Sequence, residues 1–343
     1  MPEYIVKAKT LFPVHIGGGP EHFLDPLGYV VKDNMFYRVK VEAMMTADSS
    51  FAKEFMSLID KNKIVDLRKI ISEKFDPQKK AFYSGKASIS KAFKSEYESK
   101  FLDVNNQLLV QCMTATPAGS VYIPGSSIKG AIRTAILDHR ARESKDSYNG
   151  IAERAKNGRT RSFAKNCENE ILDMNNPGND PFKLLKISDA SISEGQTEIV
   201  QVKNCGKSGM PLGIAMFVEA VKPDVDFQFT LKLENRKHAG EIKTPLSMEE
   251  IFSETTYFYQ VEIEDEKSNF YQGKEAQKWV DRVFDETTDN EAVLRIGRFS
   301  HIESMTYNSP EVLRSHKKKS GTTRNLVDGK IPLGMIKMEF VKV

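Results

Sequence analysis

The sequence predicts an α+β protein built from antiparallel sheets that are each covered on one face by helices. Three observations lead to this prediction. The length of 343 residues fits two domains of ordinary size. Strand-type and helix-type patterns are intermixed twice along the chain. A polar, basic stretch separates the two mixtures. We therefore expect domains over 1–140 and 182–343, with an insertion or linker over 141–181.

The first half alternates short strands with amphipathic helices. Asp33-Asn34 lies between two strand-like segments, which predicts a tight hairpin turn. Strands are predicted over 3–14, 28–32, 35–41, 106–112 and 121–123. Helices are predicted where apolar residues recur at helical spacing, around 51–59, around 64–71, and from Ser126 or Ser127 through Ile136. The order of the strands within a sheet does not follow from these patterns.

The second half repeats the mixture after the polar segment. Strands are predicted over 184–192, 197–204, 214–221, 225–233, 292–296 and at the carboxyl end of the chain. A helical region is predicted over 248–282. Each half therefore has the elements of an α+β sandwich.

Composition excludes several classes of protein. The chain has 50 Lys and Arg against 47 Asp and Glu, a formal net charge of +3, so it is no histone-like polycation. No run of about 18 apolar residues and no apolar signal core occur, so we expect neither a membrane partner nor secretion. Cys112, Cys167 and Cys205 lack C-x-x-C spacing, which argues against structural zinc and fits a reducing cytoplasm. No Walker loop or dinucleotide fingerprint occurs, and we expect no cofactor.

The first candidate binding loop contains His15 and the glycines Gly17, Gly18 and Gly19, directly after the first strand. Successive glycines allow positive φ and the close approach of another backbone. Exposed N–H groups there could hold a phosphate. A wide turn without a ligand accounts for the same residues.

The second candidate is the segment IPGSSIKGAIR, which contains Ser126, Ser127, Lys129 and Arg133. Its turn presents N–H groups and hydroxyls at a helix N-terminus, where the helix dipole favours an anion. Lys129 and Arg133 are four residues apart and so share one helix face. Together they could clamp a sugar-phosphate backbone, although an N-capped helix with two solvated cations is the alternative.

The third candidate is the segment LRIGRFSH, in which Arg295 and Arg298 flank Gly297 at a strand end, beside Phe299. Arginine with an aromatic side chain on a sheet is a common way to hold single-stranded RNA. A hairpin with one buried Phe and surface arginines is the alternative. The basic run 315–321 could also follow a nucleic-acid strand.

Four segments together resemble the RAMP superfamily of type III CRISPR effector proteins. They are PVHIGGG, IPGSSIKGAIR, LRIGR and the closing PLGMIKMEF. IPGSSIKGxxR is the most specific of them. Their order and spacing, with the PLGxxK ending, are most similar to the fifth-subunit branch of the type III-A (Csm) complexes. The last loop departs from the pattern, because GRFSHIES lacks the second glycine of a full glycine-rich RAMP loop.

The resemblance implies two tandem RRM- or ferredoxin-like domains and a place at one end of a filament of related Csm RAMP subunits. There the protein would bind the 3′ part of the CRISPR guide RNA without cutting it and contribute to guide maturation with host trimming nucleases. Carried over onto this sequence, the RNA contacts are residues of the three loops: His15, Gly17, Gly18, Gly19, Ser126, Ser127, Lys129, Arg133, Arg295, Gly297 and Arg298.

The resemblance also leaves an enzymatic alternative open. The repeating backbone subunits of this superfamily cut target RNA with an aspartate in the loop after the first strand, and the corresponding loop here contains Asp25. A metal-dependent endoribonuclease using Asp25, with His15 or His22 as acid or base, is therefore the alternative. Asp25 precedes Pro26, a pair common in turns. A protein scaffold that binds no RNA is the third hypothesis.

The near-neutral charge conceals an uneven distribution. Residues 139–166 hold eight basic and three acidic residues, and residues 314–330 hold six and one. Residues 248–266 hold seven acidic residues and no basic one. We expect the basic segments near RNA and the acidic segment facing solvent or a basic partner subunit.

Overall fold

A computed structural model describes residues 3–19, 22–143, 163–234, 242–305 and 321–343. The strands are β1 (Glu3–Thr10), β2 (Phe23–Leu24), β3 (Tyr29–Lys32), β4 (Met35–Val39), β5 (Tyr83–Ile89), β6 (Val110–Gln111), β7 (Tyr122–Ile123), β8 (Leu185–Ile187), β9 (Ala190–Ser191), β10 (Thr197–Gly206), β11 (Pro211–Val221), β12 (Asp226–Leu233), β13 (Glu291–Arg295), β14 (Thr323–Val327) and β15 (Met335–Lys342). The α-helices are α1 (Val41–Ala47), α2 (Ser49–Asp60), α3 (Ile64–Lys74), α4 (Lys91–Lys100), α5 (Gly125–Glu143), α6 (Phe163–Ile171), α7 (Met248–Glu266), α8 (Glu275–Asp285) and α9 (Ile302–Met305).

The first sheet has the strand order β13-β15-β1-β12-β8, and all neighbouring strands are antiparallel. Helices α5 and α7 pack against each other and against this sheet. Along the chain the elements run β1, α5, β8, β12, α7, β15. This sequence of elements is the ferredoxin-like βαββαβ motif, with β13 added at one edge.

The ferredoxin-like unit is not contiguous in sequence. It takes β1 and α5 from the segment predicted as the first domain, 1–140, and its remaining strands and α7 from the segment predicted as the second, 182–343. Alternation in β1 buries Val6 and Ala8, which identifies a strand but not its partner. The predicted boundary at residue 140 therefore does not separate the two sheets.

The second sheet is mixed and has the order β2-β6-β11-β10-β5-β4-β3, with β14 also paired to β10. β10 is parallel to β5 and β11 is parallel to β6, while the other pairs are antiparallel. A small third sheet joins β7 and β9. These sheets and helices confirm the predicted α+β class.

Local sequence patterns account for several element ends. Asp33 and Asn34 both have positive φ, 54° and 58°, at the tight turn between β3 and β4, as predicted. The Asp48 carboxylate accepts hydrogen bonds from the N–H groups of Ser50 and Phe51 and so caps α2. The predicted helical region 248–282 consists of α7 and α8, separated by a π-helical turn over Lys267–Tyr271.

The predicted insertion 141–181 lies partly outside the described residues, which omit 144–162. Its described part includes α6 and two short turns that begin at Pro177 and Pro181. Cys167, Ile171 and Leu172 are buried in the same core as α5 and α7. The described part of this segment therefore packs into the protein and does not run over its surface as a linker. Across the described ranges, no helix combines the length and apolarity needed to cross a bilayer.

Candidate nucleic-acid interface

Three loops predicted separately from sequence surround one open cleft of about 630 Å³. The first loop contributes Gly17 and Gly19, the start of α5 contributes Ser127, and the third loop contributes Gly297 and Arg298. These loops are more than 90 residues apart in sequence and meet because β1 and β13 belong to the first sheet, on which α5 packs. The tertiary fold therefore forms the cleft by bringing these distant loops together.

The first loop packs tightly against the polypeptide that follows β6. Gly17 bridges to Met113, and the N–H of Thr114 donates to the carbonyl of Ile16. A Cβ at Gly17 would lie 2.4 Å from Nε2 of Gln111, closer than a side chain can approach. Gly18 packs on the ring of His22 and does not line the cleft.

The third loop is fixed to the first by its backbone. The N–H of Arg298 donates to the carbonyl of His15 at 3.0 Å. Gly297 has φ +98°, and a Cβ there would lie 2.4 Å from the same carbonyl oxygen. Only glycine combines this left-handed conformation with so close an approach. The two glycine-containing loops are therefore joined as one wall.

Among the described residues that line the cleft, Arg298 is the exposed charged side chain. One of its Nη atoms donates to the side-chain oxygen of Gln111, which also lines the cleft. Gln111 is itself buried, with 4% exposed. The contact therefore holds the guanidinium at the mouth of the cleft, where its remaining N–H groups are free to meet an anion.

His15 lies beneath this pair and does not line the cleft. It is 1% exposed, and its Nδ1 lies 2.6 Å from the carbonyl oxygen of Glu219, so Nδ1 carries the proton and donates. Burial lowers its pKa, although Glu219 opposes the shift. A neutral His15 therefore supports the wall from within, whereas sequence predicted an RNA contact.

Arg295 is also buried, and its role differs from that of Arg298. Its Nη1 donates to Glu262 at 2.6 Å and its Nη2 donates to Glu266 at 2.7 Å. Burial raises the pKa of Glu262 to about 7. Burial alone would also raise the pKa of Glu266, but Arg295, His301 and Arg324 lower it to about 2. Arg295 therefore anchors the strand from which the third loop leaves.

The N-terminus of α5 is occupied by a carboxylate of the protein, whereas the sequence predicted a site for an external anion. The helix begins at Gly125, one residue before Ser126, and the N–H of Gly125 donates to Oδ1 of Asp189 at 2.8 Å. A carboxylate of the chain itself therefore occupies a position where a phosphate was expected. Ser126 is exposed, and Ser127 lines the cleft.

Lys129 and Arg133 bind protein groups in this structure. Nζ of Lys129 donates to the carbonyl of Leu185 at 2.8 Å, and burial lowers its pKa. Arg133 donates to Glu168 and Asp180, and its guanidinium lies 4.8 Å from the centre of the Phe182 ring. Neither residue lines the cleft. They tie α5 to β8, to α6 and to the segment that follows α6.

The cleft also contains residues that sequence analysis missed. Phe23 is 40% exposed and is the aromatic side chain among the described residues that line the cleft, whereas Phe299 is buried against His15. Gly130 and Thr134 lie three and seven residues after Ser127, so they share its helix face. No atom lies within 4 Å of a Cβ added at Gly130. A glycine in an exposed helix face without a packing reason was the available clue.

Asp25 lies in a turn. Its Oδ1 accepts a hydrogen bond from the N–H of Leu27 at 3.0 Å, and its carbonyl accepts one from Gly28 at 2.9 Å. It does not line the cleft. Within the described part of the chain, no three His, Cys, Asp or Glu side chains are grouped so that they could hold a metal ion.

Among the described residues, the open face of the first sheet carries no aromatic platform of the kind found on an RRM-type RNA surface. Charged side chains pair across its strands, Lys7 with Glu339, Lys9 with Asp226 and Lys232 with Glu3. The aromatic residues of β12 and β15, Phe227, Phe229 and Phe340, pack on the helix side. The cleft at the edge of the unit is therefore a better RNA site than the sheet face.

The acidic segment 248–266 corresponds to α7, and four of its seven acidic residues bind arginines of this chain. Arg140 pairs with Glu250 and Arg142 with Glu254. Glu262 and Glu266 bind the buried Arg295. The expectation that this segment faces solvent or a partner was wrong for these four residues, because helical spacing turns them toward α5 and β13. Of the basic segments, 144–162 and 314–320 lie outside the described residues.

Comparisons with known proteins identify related sequences and folds. The profile of the RAMP superfamily matches residues 7–300. CRISPR system Cms protein Csm5 of Methanocaldococcus jannaschii is 26% identical over 239 residues, which are 67% of this chain and 52% of that protein. The chain thus spans about half the length of this curated relative.

Two solved structures share the fold. A chain in the cryo-EM structure of a type III-A Csm–crRNA–target RNA ternary complex superposes with a TM-score of 0.65 and 18% identity, covering 99% of this chain and 100% of that one. The crystal structure of T. onnurineus Csm5 gives a TM-score of 0.67 at 18% identity, covering 96% and 99%.

Proposed function

The chain belongs to the RAMP superfamily, and from this premise we propose that it is a guide-RNA-binding subunit of a type III-A (Csm) CRISPR complex. Its similarity to a Csm5 protein and to a chain of a Csm–crRNA–target RNA complex supports this assignment. The observation that carries it is the convergence of three distant loops on one cleft.

The chemistry of the cleft suits an RNA backbone. Beside apolar residues such as Ile16 and Ile296, its lining includes glycines, serine and threonine residues, and the exposed guanidinium of Arg298. Such groups contact phosphate and sugar, which fix the register of a strand without reading its sequence. Phe23 adds one exposed ring on which a base could stack. A guide whose sequence differs from one complex to the next requires this kind of recognition.

In the finer proposal, the protein occupies the end of the complex that holds the 3′ side of the guide. There it binds RNA without cutting it, contacts neighbouring Csm RAMP subunits in the cytoplasm and exposes the guide end to host trimming nucleases. The turn that contains Asp25 gives no separate support to the endoribonuclease alternative.

Co-purification tests the proposal. The complex would be assembled with wild-type chain, with Arg298→Ala, and with Lys7→Ala on the open sheet face as matched control. We expect Arg298→Ala to retain less guide RNA or to change its length distribution, and Lys7→Ala to match wild type. A chain that enters no complex with related RAMP proteins, or whose binding to RNA does not weaken as salt rises, would be a different kind of protein.

A further inference from the structure

A second cavity, of about 230 Å³, lies between β5, the turn over 116–121 and the segment that joins β9 to β10. Its lining includes Lys80, Lys86, Ser84, Ser120, Ser193 and Glu194. None of its lining residues belongs to the cleft described above. It is therefore a separate site on the second sheet.

The walls of this pocket are held in direct backbone contact. Gly119 has φ +90°, and a Cβ there would lie 1.8 Å from the carbonyl oxygen of Ser84. The N–H of Gly119 donates to the carbonyl of Thr116, which closes the turn. The pocket therefore has a fixed shape, which a binding site needs if it is to hold a small group without reorganising.

Two ammonium groups in the pocket converge on a single oxygen. Nζ of Lys80 lies 3.1 Å and Nζ of Lys86 lies 3.6 Å from Oε1 of Glu194. The hydrogen bond from Lys80 is the largest cause of the lowered pKa of Glu194. Two lysines against one carboxylate leave an excess positive charge in the pocket. The side chain of Glu194 is 55% exposed, so it can leave without uncovering a buried charge.

The pocket also offers neutral hydrogen-bond donors. Among the described residues, the hydroxyls of Ser84, Ser120 and Ser193 have no hydrogen-bond partner, and all three residues line the cavity. Hydroxyls combined with ammonium groups are typical ligands of phosphate oxygens. An exposed carboxylate that pairs with two lysines occupies the place such an anion would take.

We propose that this pocket binds a phosphate group, and that Glu194 is a resident anion which the phosphate displaces from Lys80 and Lys86. The phosphate belongs to an RNA strand or to a free nucleotide, since both present the same oxygens. The RNA source rests on the proposed function, whereas the free-nucleotide source does not.

Binding of a fluorescein-labelled single-stranded oligoribonucleotide to the full chain, measured by anisotropy over a range of KCl concentrations, tests the RNA source. We expect Glu194→Gln to tighten binding about threefold and Lys80→Ala with Lys86→Ala to weaken it about tenfold. The double variant should also reduce the slope of log K against log salt by about 1.4, the value for two lost contacts to single-stranded RNA. Glu339→Gln, which releases the exposed Lys7 from a comparable ion pair, is the matched control and should change nothing.

The free-nucleotide source is tested by thermal unfolding with uridine 5′-monophosphate and with uridine. A rise in melting temperature with the monophosphate alone, lost in the double lysine variant, supports a phosphate site even if the wild-type chain binds no RNA. The absence of RNA binding would then refute the proposed function, whereas the response to monophosphate would support the phosphate pocket. If Glu194→Gln and the double lysine variant alter neither RNA affinity nor the response to monophosphate, while both unfold like wild type without ligand, the pocket binds no phosphate.

Discussion

Arg295 and Arg298 are three residues apart in one short motif, yet the structure uses them in opposite ways. Arg295 is 1% exposed and is bound by Glu262 and Glu266 of α7. Arg298 is exposed at the cleft, and among the described residues its guanidinium hydrogen-bonds only to the neutral side chain of Gln111. Gly297, in a left-handed conformation, turns the chain between them. A motif rich in arginine can thus contribute one residue to stability and one to binding.

The same contrast separates Arg298 from the predicted clamp of Lys129 and Arg133. All three cations were expected to meet RNA. Arg133 is bound by Glu168 and Asp180, and Lys129 by the Leu185 carbonyl. Because these protein groups already pair with Lys129 and Arg133, we assign both cations a role in stability. We assign the contact with RNA to Arg298.

The largest effect is expected on stability, when the buried Arg295 is replaced. Arg295→Ala leaves Glu262 and Glu266 buried without their main partner, so the free energy of unfolding should fall by about 3–5 kcal/mol. Urea denaturation followed by circular dichroism measures it. Arg298→Ala, the control in the same motif, should stay within about 0.5 kcal/mol of wild type. Equal effects of the two substitutions would remove the distinction.

The next largest effect is expected on RNA binding, when the exposed Arg298 is replaced. Arg298→Ala should weaken binding of single-stranded RNA about tenfold and reduce the salt slope by about 0.7, because one phosphate contact is lost. Arg298→Lys should restore most of the slope, since it keeps the charge. An unchanged affinity with an unchanged slope would show that Arg298 does not meet the RNA backbone.

Substitution at Gly130 separates the effect on stability from the effect on binding, because it should raise stability and lower RNA affinity. Gly130→Ala adds a methyl group to an open helix face and should stabilise the protein by about 1 kcal/mol. The same methyl group narrows the cleft, so RNA affinity should fall severalfold. If the variant is more stable and binds RNA as well as wild type, the ligand does not approach this face of α5.

The smallest effect on RNA is expected for the predicted clamp. Lys129→Ala with Arg133→Ala should lower the free energy of unfolding by about 1–3 kcal/mol, because partly buried polar groups lose their partners. Guide retention and length should remain close to wild type once the folded fraction is matched. A large loss of RNA affinity in the folded double variant would show that Lys129 and Arg133 contact the RNA.

Local patterns predicted much of the site but not its partners. The turn at Asp33-Asn34 and two of the cleft-lining loops depend on glycine or asparagine in left-handed conformations, which sequence reveals. The bond from Gly125 to Asp189 spans 64 residues, and no local pattern signals such a contact. The pairing of β1 with strands of the second half was missed for the same reason.

Photocrosslinking in the assembled complex tests the central claim most directly. A photoreactive amino acid would replace Phe23 at the cleft or, as control, Ile5 on the open face of the first sheet, two side chains of similar exposure at 40% and 39%. We expect crosslinks to guide RNA from position 23 and none from position 5. Crosslinks from position 5 with none from position 23 would place the RNA on the sheet face and contradict it.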